Sequence, residues 1–289
     1  MTTTSHSQEV SSGERFEFGR NWRKFLEGLN DERIAVAEKS LQEMLGLQSL
    51  RGLRFLDAGS GSGLFSLVAR RLGATVHSFD FDPDSVACTR ELKTRYFASD
   101  PDWTIDEASV LDADYLATLG KFDIVYSWGV LHHTGQMWRA IENAASCTAL
   151  GGKLFISIYN DQGGQSLRWL ALKRGYNAIP GWMRPAYTAA VMGVRELRSV
   201  AGCVLRGTPL LYFKRIRDYP SQSLRGMSYW RDIVDWIGGL PFEVASPEAI
   251  HSFLRPRGYV LDVMKTCAGG LGCNQFVFHL LKTTPVDAV

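Results

Sequence analysis

"LDAGSGSGLFS", residues 56–66, sets an aspartate, Asp57, two residues ahead of three glycines at alternate positions, Gly59, Gly61 and Gly63. The run "LRFLDAG" leading into it is short and apolar, whereas "LFSLVARRLG" has helical spacing and closes on Gly73, so the quoted stretch joins a strand to a helix. In an open parallel sheet this first strand-to-helix turn lies beyond the carboxyl ends of the strands, where ligands bind. Glycines there let the backbone approach a ligand at points where any Cβ would clash. The spacing is G-x-G-x-G, not the G-x-G-x-x-G of dinucleotide-binding turns, whose helix N-terminus carries the pyrophosphate charge. A nucleoside without phosphate suits it better. The next predicted strand ends at Asp80, about where this architecture presents a carboxylate to ribose hydroxyls.

Outward from the turn the rhythm repeats. "DERIAVAEKSLQEMLG" (31–46) predicts a helix stopping at Gly46; "TVHSFDFD" a strand; "PDSVACTRELKTRYF" a helix opened by Pro83; "WTIDEAS" and "FDIVYSWG" strands. "MWRAIENAASCTAL" predicts a helix closed by Gly151 and Gly152, and "KLFISIY" a further strand. Alternation over residues 53–159 specifies an α/β fold, a Rossmann-like, mostly parallel sheet with helices on both faces. Towards the end, "SPEAIHSFLRPRG" is a helix with an N-cap serine, and "YVLDVMKT" and "NQFVFHLLK" form an antiparallel terminal hairpin at the sheet edge. The strand rhythm is lost between 160 and 245. The expected organisation is therefore a disordered tail (1–14), N-terminal helices with the cofactor-binding core (15–160), a helical substrate-cap insertion (161–245) and the end of the sheet (246–289).

Composition narrows the function classes. With 45% apolar and 21% charged residues among 289, the chain is globular, and it has no apolar run long enough to cross a bilayer. Its opening lacks the basic and apolar segments of a signal peptide. Five cysteines without a C-x-x-C pair read as reduced thiols in a cytoplasmic protein, with no metal site. A net charge of only +2 argues against a dedicated nucleic-acid binder.

Taken together, "LDAGSGSG", "FDFDP", "EASVLDAD" and "FDIVYSWGVLHHTG", in this order, resemble the motifs of class I S-adenosylmethionine-dependent methyltransferases of the small-molecule branch. The resemblance covers residues 50–160 and, less fully, the last 45. It implies a seven-stranded sheet with its last strand antiparallel, and S-adenosylmethionine as cofactor. It further implies that Asp57 and the turn Gly59, Ser60, Gly61 and Gly63 surround the methionine part, that Asp80 binds the ribose hydroxyls, and that Phe81 lies against adenine. Ser109 stands where many relatives carry an aspartate for the adenine amino group, leaving the Val110 backbone or Asp112 as substitutes. Ser127 and Trp128 fall beside the sulfonium, with His132 and His133 at the mouth. "FEFGRNWRKF" resembles a lid segment, so Trp22, Arg20 and Arg23 either contact the ligands or belong to an amphipathic helix packed on the core.

Methyl transfer is an in-line displacement that needs alignment and exclusion of water. A hydroxyl acceptor also benefits from a base of near-neutral pKa, and the adjacent His132 and His133 are the candidates, His133 favoured. Tyr159, Arg225, Asp235 and Glu243 are candidate acceptor contacts. Residues 161–218 carry ten basic side chains, from Arg168 to Arg217, against Asp161, Glu196 and Asp218, interleaved with apolar and aromatic ones. Such a stretch contacts an anionic membrane, an acidic substrate or a second subunit, or is a helical cap with a solvated basic face. The expectation is a monomeric or homodimeric methyltransferase acting on a small or lipophilic molecule, chiefly at oxygen. The rivals are an RNA or protein methyltransferase docking through the insertion, and a non-catalytic cofactor-binding module.

Overall fold

The computed structural model describes residues 6–222 and 229–281. Its centre is a seven-stranded sheet of order β3-β2-β1-β4-β5-β7-β6, formed by β1 (Arg54–Ala58), β2 (Thr75–Asp80), β3 (Trp103–Glu107), β4 (Phe122–Trp128), β5 (Thr148–Tyr159), β6 (Tyr259–Lys265) and β7 (Cys273–Leu280). The first five pair in parallel. β7 runs antiparallel between β5 and β6, so the predicted hairpin inserts its second strand into the sheet and leaves the first at the edge.

Helices precede, connect and cover these strands: α1 (His6–Ser11), α2 (Gly19–Glu27), α3 (Asp31–Leu45), α4 (Leu64–Arg71), α5 (Pro83–Phe97), α6 (Ala113–Leu119), α7 (Met137–Ser146) and α12 (Pro247–Leu254). Sequence-local caps set several boundaries. Asn30 accepts the Arg33 N–H ahead of α3, Asp82 the Asp84 N–H ahead of α5, and Ser246 the Ala249 N–H ahead of α12. One face of the sheet packs Leu41, Leu67, Val68, Leu92 and Trp103 in a single core, and the other packs Ile141, Ala144, Ile250 and Leu254. Apolar faces on both sides explain why the central strands are continuous apolar runs.

Two expectations need correction. The helix opening at Met137 ends at Ser146, and Gly151 and Gly152 lie inside β5, which begins at Thr148. The β4–β5 register shifts beside that pair, so the glycines absorb an irregularity and do not close a helix. Residues 6–11, expected in a disordered tail, form α1, because tertiary contacts described below hold a segment with little helical pattern of its own.

Between β5 and α12 lie α8 (Gly164–Ala178), α9 (Arg184–Leu205), α10 (Leu210–Gln222) and α11 (Tyr229–Gly238). A third core of Phe16, Tyr176, Met192, Tyr229, Ile233 and Ile237 joins these helices to the N-terminal segment. Among the described residues no helix is long and apolar enough to cross a membrane.

Candidate active site

At the carboxyl end of the parallel strands a chamber is walled by the β1–α4 turn (Gly59 to Ser62), the end of β2 (Asp80, Phe81, Asp82), Ser109 and Val110 beyond β3, and Trp128 to Val130 beyond β4. The N-terminal segment covers it with His6, Arg15, Phe18 and Trp22, and His133 and Asp57 also line it. Most of the predicted cofactor residues thus meet in one cavity.

Asp80 organises the floor. Its Oδ2 accepts the Gly61 N–H at 2.8 Å and its Oδ1 the Asp82 N–H at 2.9 Å. Burial pushes its carboxyl up to about 6, against the pull of those two donors. Asp57, deeper, accepts the Ser66 hydroxyl at 2.5 Å, and burial raises it to about 7. At Gly61 a Cβ would stand 3.2 Å from the Trp22 indole. The gap between turn and indole is therefore a cradle that any side chain would fill. A narrow apolar slot with two carboxylates at its polar end fits the amino-acid and ribose parts of a nucleoside cofactor.

Two of the predicted cofactor residues sit outside the chamber. Gly63 has φ +80°, and a Cβ there would lie 2.8 Å from the Thr89 Cα, so it packs α4 against α5. Ser127 is buried and donates to the Ala58 carbonyl at 2.7 Å, tying β4 to β1. Asp112 is occupied as the N-cap of α6, accepting the Tyr115 N–H, whereas Ser109 and Val110 do reach the chamber.

Past the end of β4 the chain leaves strand geometry, and Leu131–His133 form a 3-10 turn. His133 Nδ1 lies 2.6 Å from the Pro241 carbonyl. A carbonyl only accepts, so the neutral ring carries its proton on Nδ1 and Nε2 is the accepting nitrogen. His132 is fully buried away from the chamber, its ring 3.9 Å from that of Tyr159. Glu243 accepts the Met137 N–H at 3.0 Å and donates its own N–H to the His132 carbonyl, so it braces the histidine turn instead of facing the chamber. Burial raises its carboxyl. Tyr159 and Asp235 line a neighbouring cleft with Trp236 and Arg195, and Phe18 lines both cavities. Arg225 lies outside the described residues. Trp22 lines the chamber and also packs against the core, and Arg23 pairs with Asp84 on α5 instead of reaching the chamber.

Sequence reasoning missed three groups. Arg15 pairs with Glu9 at 2.6 Å, donates to the His133 carbonyl at 3.0 Å and lies 5.1 Å from the Phe81 ring centroid, spanning the mouth. Asp82 accepts the Gly19 N–H at 2.8 Å and stands 3.6 Å from His6 Nε2, pinning the cover. Lys173, read with the basic residues of the insertion, is buried beside Asp235, donates to the Trp236 carbonyl and lies 4.7 Å from the Phe242 ring centroid. Burial pushes its ammonium down to about 7. An acid and an amide on α11 and α2, Asp235 and Asn21, are hydrogen-bonded across the same seam. Of the three groups only Asp82 lies in a quoted motif, "FDFDP", and only the fold brings them together.

A family model described as a methyltransferase domain matches residues 28–192. The ubiquinone biosynthesis O-methyltransferase of Xanthomonas euvesicatoria pv. vesicatoria (strain 85-10) is 33% identical over 138 residues, 48% of this chain and 53% of that protein. The chain thus spans about half the length of that relative. The protein of the same name from Xanthomonas oryzae pv. oryzae (strain PXO99A) is 30% identical over 185 residues, 61% of this chain and 72% of that one. Among solved structures, magnesium protoporphyrin IX methyltransferase from Synechocystis PCC 6803 with bound SAM superposes with a TM-score of 0.53 at 13% identity, covering 97% of this chain and 99% of that one. That likeness is one of fold.

Proposed function

The chain belongs to the methyltransferase-domain family, and from that premise we propose that it methylates an oxygen of a small or lipophilic acceptor. S-adenosylmethionine supplies a methyl group already activated on a sulfonium. Asp57 and the Gly59–Ser62 turn would hold its amino-acid end, Asp80 its ribose hydroxyls, and Phe81, Ser109 and Val110 its adenine. Phe18 and Trp22, folded over the chamber, exclude water. His133 receives the acceptor's proton at Nε2, and the Pro241 carbonyl holds Nδ1–H and stabilises the ring once it is charged. Tyr159, Asp235 and Trp236 form the acceptor side, reached past Phe18.

The observation that carries this reading is that His133 lines the same chamber as Asp80 and the glycine turn. A histidine base serves an oxygen nucleophile, whose proton must leave as the methyl arrives. The relatives named for ubiquinone biosynthesis add weight to oxygen and to a lipophilic acceptor. The test is transfer of labelled methyl to a panel of phenols and catechols, with and without alkyl chains, and to amines of matched shape. Release of S-adenosylhomocysteine with label on oxygen is expected; label confined to the amines would overturn the choice of atom.

A further inference from the structure

Helix α9 is unusual in how little of it the protein covers. Over Arg184–Leu205 only Met192 and Glu196 are buried, and Glu196, its one acidic residue, accepts hydrogen bonds from Tyr212, Tyr229 and Arg195. At about 100° per residue, Ala190, Val194, Leu197, Ala201, Val204 and Leu205 fall within an arc of roughly 100°. All six are exposed, Leu197 at 71% and Leu205 at 88%. Arg198 and Arg206, also exposed, fall in the next arc, together with Arg195, whereas Arg184 is half-buried over the Tyr176 ring. On the other flank an apolar groove lined by Gly181, Pro185, Ala189, Gly193 and Trp230 widens the apolar face. Beyond Gly207, α10 opens with exposed Leu210, Leu211 and Phe213, followed by Lys214 and Arg215.

A continuous apolar surface of this length is not an ordinary monomer surface. Its charge pattern selects the occupant. A second copy docked through a twofold would lay the same arginine row beside itself, with no acidic residue exposed on α9 to pair it. An aqueous anion would pair with the arginines and leave the leucines wet. A bilayer bearing anionic headgroups satisfies both halves, because apolar side chains enter the headgroup boundary while guanidinium groups meet phosphates. We propose that α9 lies in the plane of an anionic membrane surface, its apolar arc inserted and Arg198 and Arg206 on lipid phosphates. The protein is then a peripheral membrane enzyme, whatever its acceptor.

The experiment is co-sedimentation of the full chain with vesicles of phosphatidylcholine, with and without phosphatidylglycerol, at low and high salt. Binding to the anionic vesicles, weakened by salt, is expected, with little binding to phosphatidylcholine alone. The pair Leu197→Glu and Leu205→Glu should abolish it; the pair Arg198→Gln and Arg206→Gln should weaken it by about five-fold per arginine. Both pairs sit on exposed positions, and unchanged affinity for S-adenosylhomocysteine certifies their fold. Failure of the wild-type chain to bind anionic vesicles, equal binding to neutral ones, or binding that neither pair alters would each sink the proposal. So would light scattering that shows a dimer split by the leucine pair while vesicles go unbound.

Discussion

His133 and His132 are neighbours with opposite surroundings, and the difference decides which one we propose as the base. His133 lines the chamber with Nδ1 committed to the Pro241 carbonyl, whereas His132 is sealed against Tyr159. His133→Gln keeps a polar side chain of similar size and removes the proposed base. Turnover should fall by about 10²- to 10⁴-fold with cofactor affinity within a few-fold of wild type, and the neutral limb of the pH–rate profile should vanish. Full turnover in this variant would mean that alignment alone carries the reaction. His132→Gln should act on stability, because it disturbs a packed ring and not a reacting atom. Asp80 belongs to a different step. It accepts from two backbone N–H groups that fix its carboxylate before any ligand arrives, so Asp80→Ala should weaken S-adenosylhomocysteine binding by about 1.5 to 3 kcal/mol, measured by calorimetry. If affinity barely moves, another group holds the ribose.

At the scale of elements, the core was legible because each piece of it carries a local signal. β1 has four consecutive buried residues, Asn30 and Asp82 cap their helices, and Ser246 stands before Pro247, so burial and capping both wrote themselves into short windows of sequence. The cover over the chamber was not legible in the same way. Helix α1 has no buried residue, and what orders it is contact at long range, Arg15 with the His133 carbonyl and His6 with Asp82. Tertiary contacts of that kind leave no period to read. Trp22 was recognisable as an aromatic on an amphipathic helix; Arg15 was not, because an arginine in a polar segment looks like any solvated charge. The cover's dependence on one side chain is testable. Arg15→Ala removes the tie to Glu9, the contact with Phe81 and the bond to the histidine turn together. Hydrogen exchange over residues 6–18 should quicken and cofactor affinity should drop several-fold, while the chamber floor keeps its protection. Unchanged exchange in this segment would show that Phe16 and Phe18 alone hold it.

Across the whole molecule, three buried ionisable groups pull stability in opposite directions with pH. Asp57 and Asp80 are pushed up to about 7 and about 6 by burial, and Lys173 down to about 7. An unfolded chain releases its carboxyl protons near the ordinary value of about 4, so the folded state holds those protons longer. The two aspartates therefore favour the fold fully below about 4, and that contribution is lost as pH rises through their folded values of about 6 and about 7. Lys173 works the other way, since its burial penalises the ammonium: the penalty stands in full below about 7 and is relieved as pH rises towards the ordinary lysine value of about 10. The ligand-free protein should thus be least stable near neutral pH as far as these three groups are concerned, a liability that a cationic cofactor would offset if it is held at the aspartates as proposed. Asp57→Asn isolates one of them. It keeps shape and a hydrogen-bonding oxygen but cannot ionise. Thermal unfolding of the ligand-free variant should match wild type near pH 4 and gain on it by up to a few kcal/mol by about pH 8, while cofactor affinity at neutral pH falls because the carboxylate is gone. A difference between the two proteins that does not change with pH would mean that Asp57 ionises in the fold as readily as in the open chain, and that its burial costs the empty site nothing.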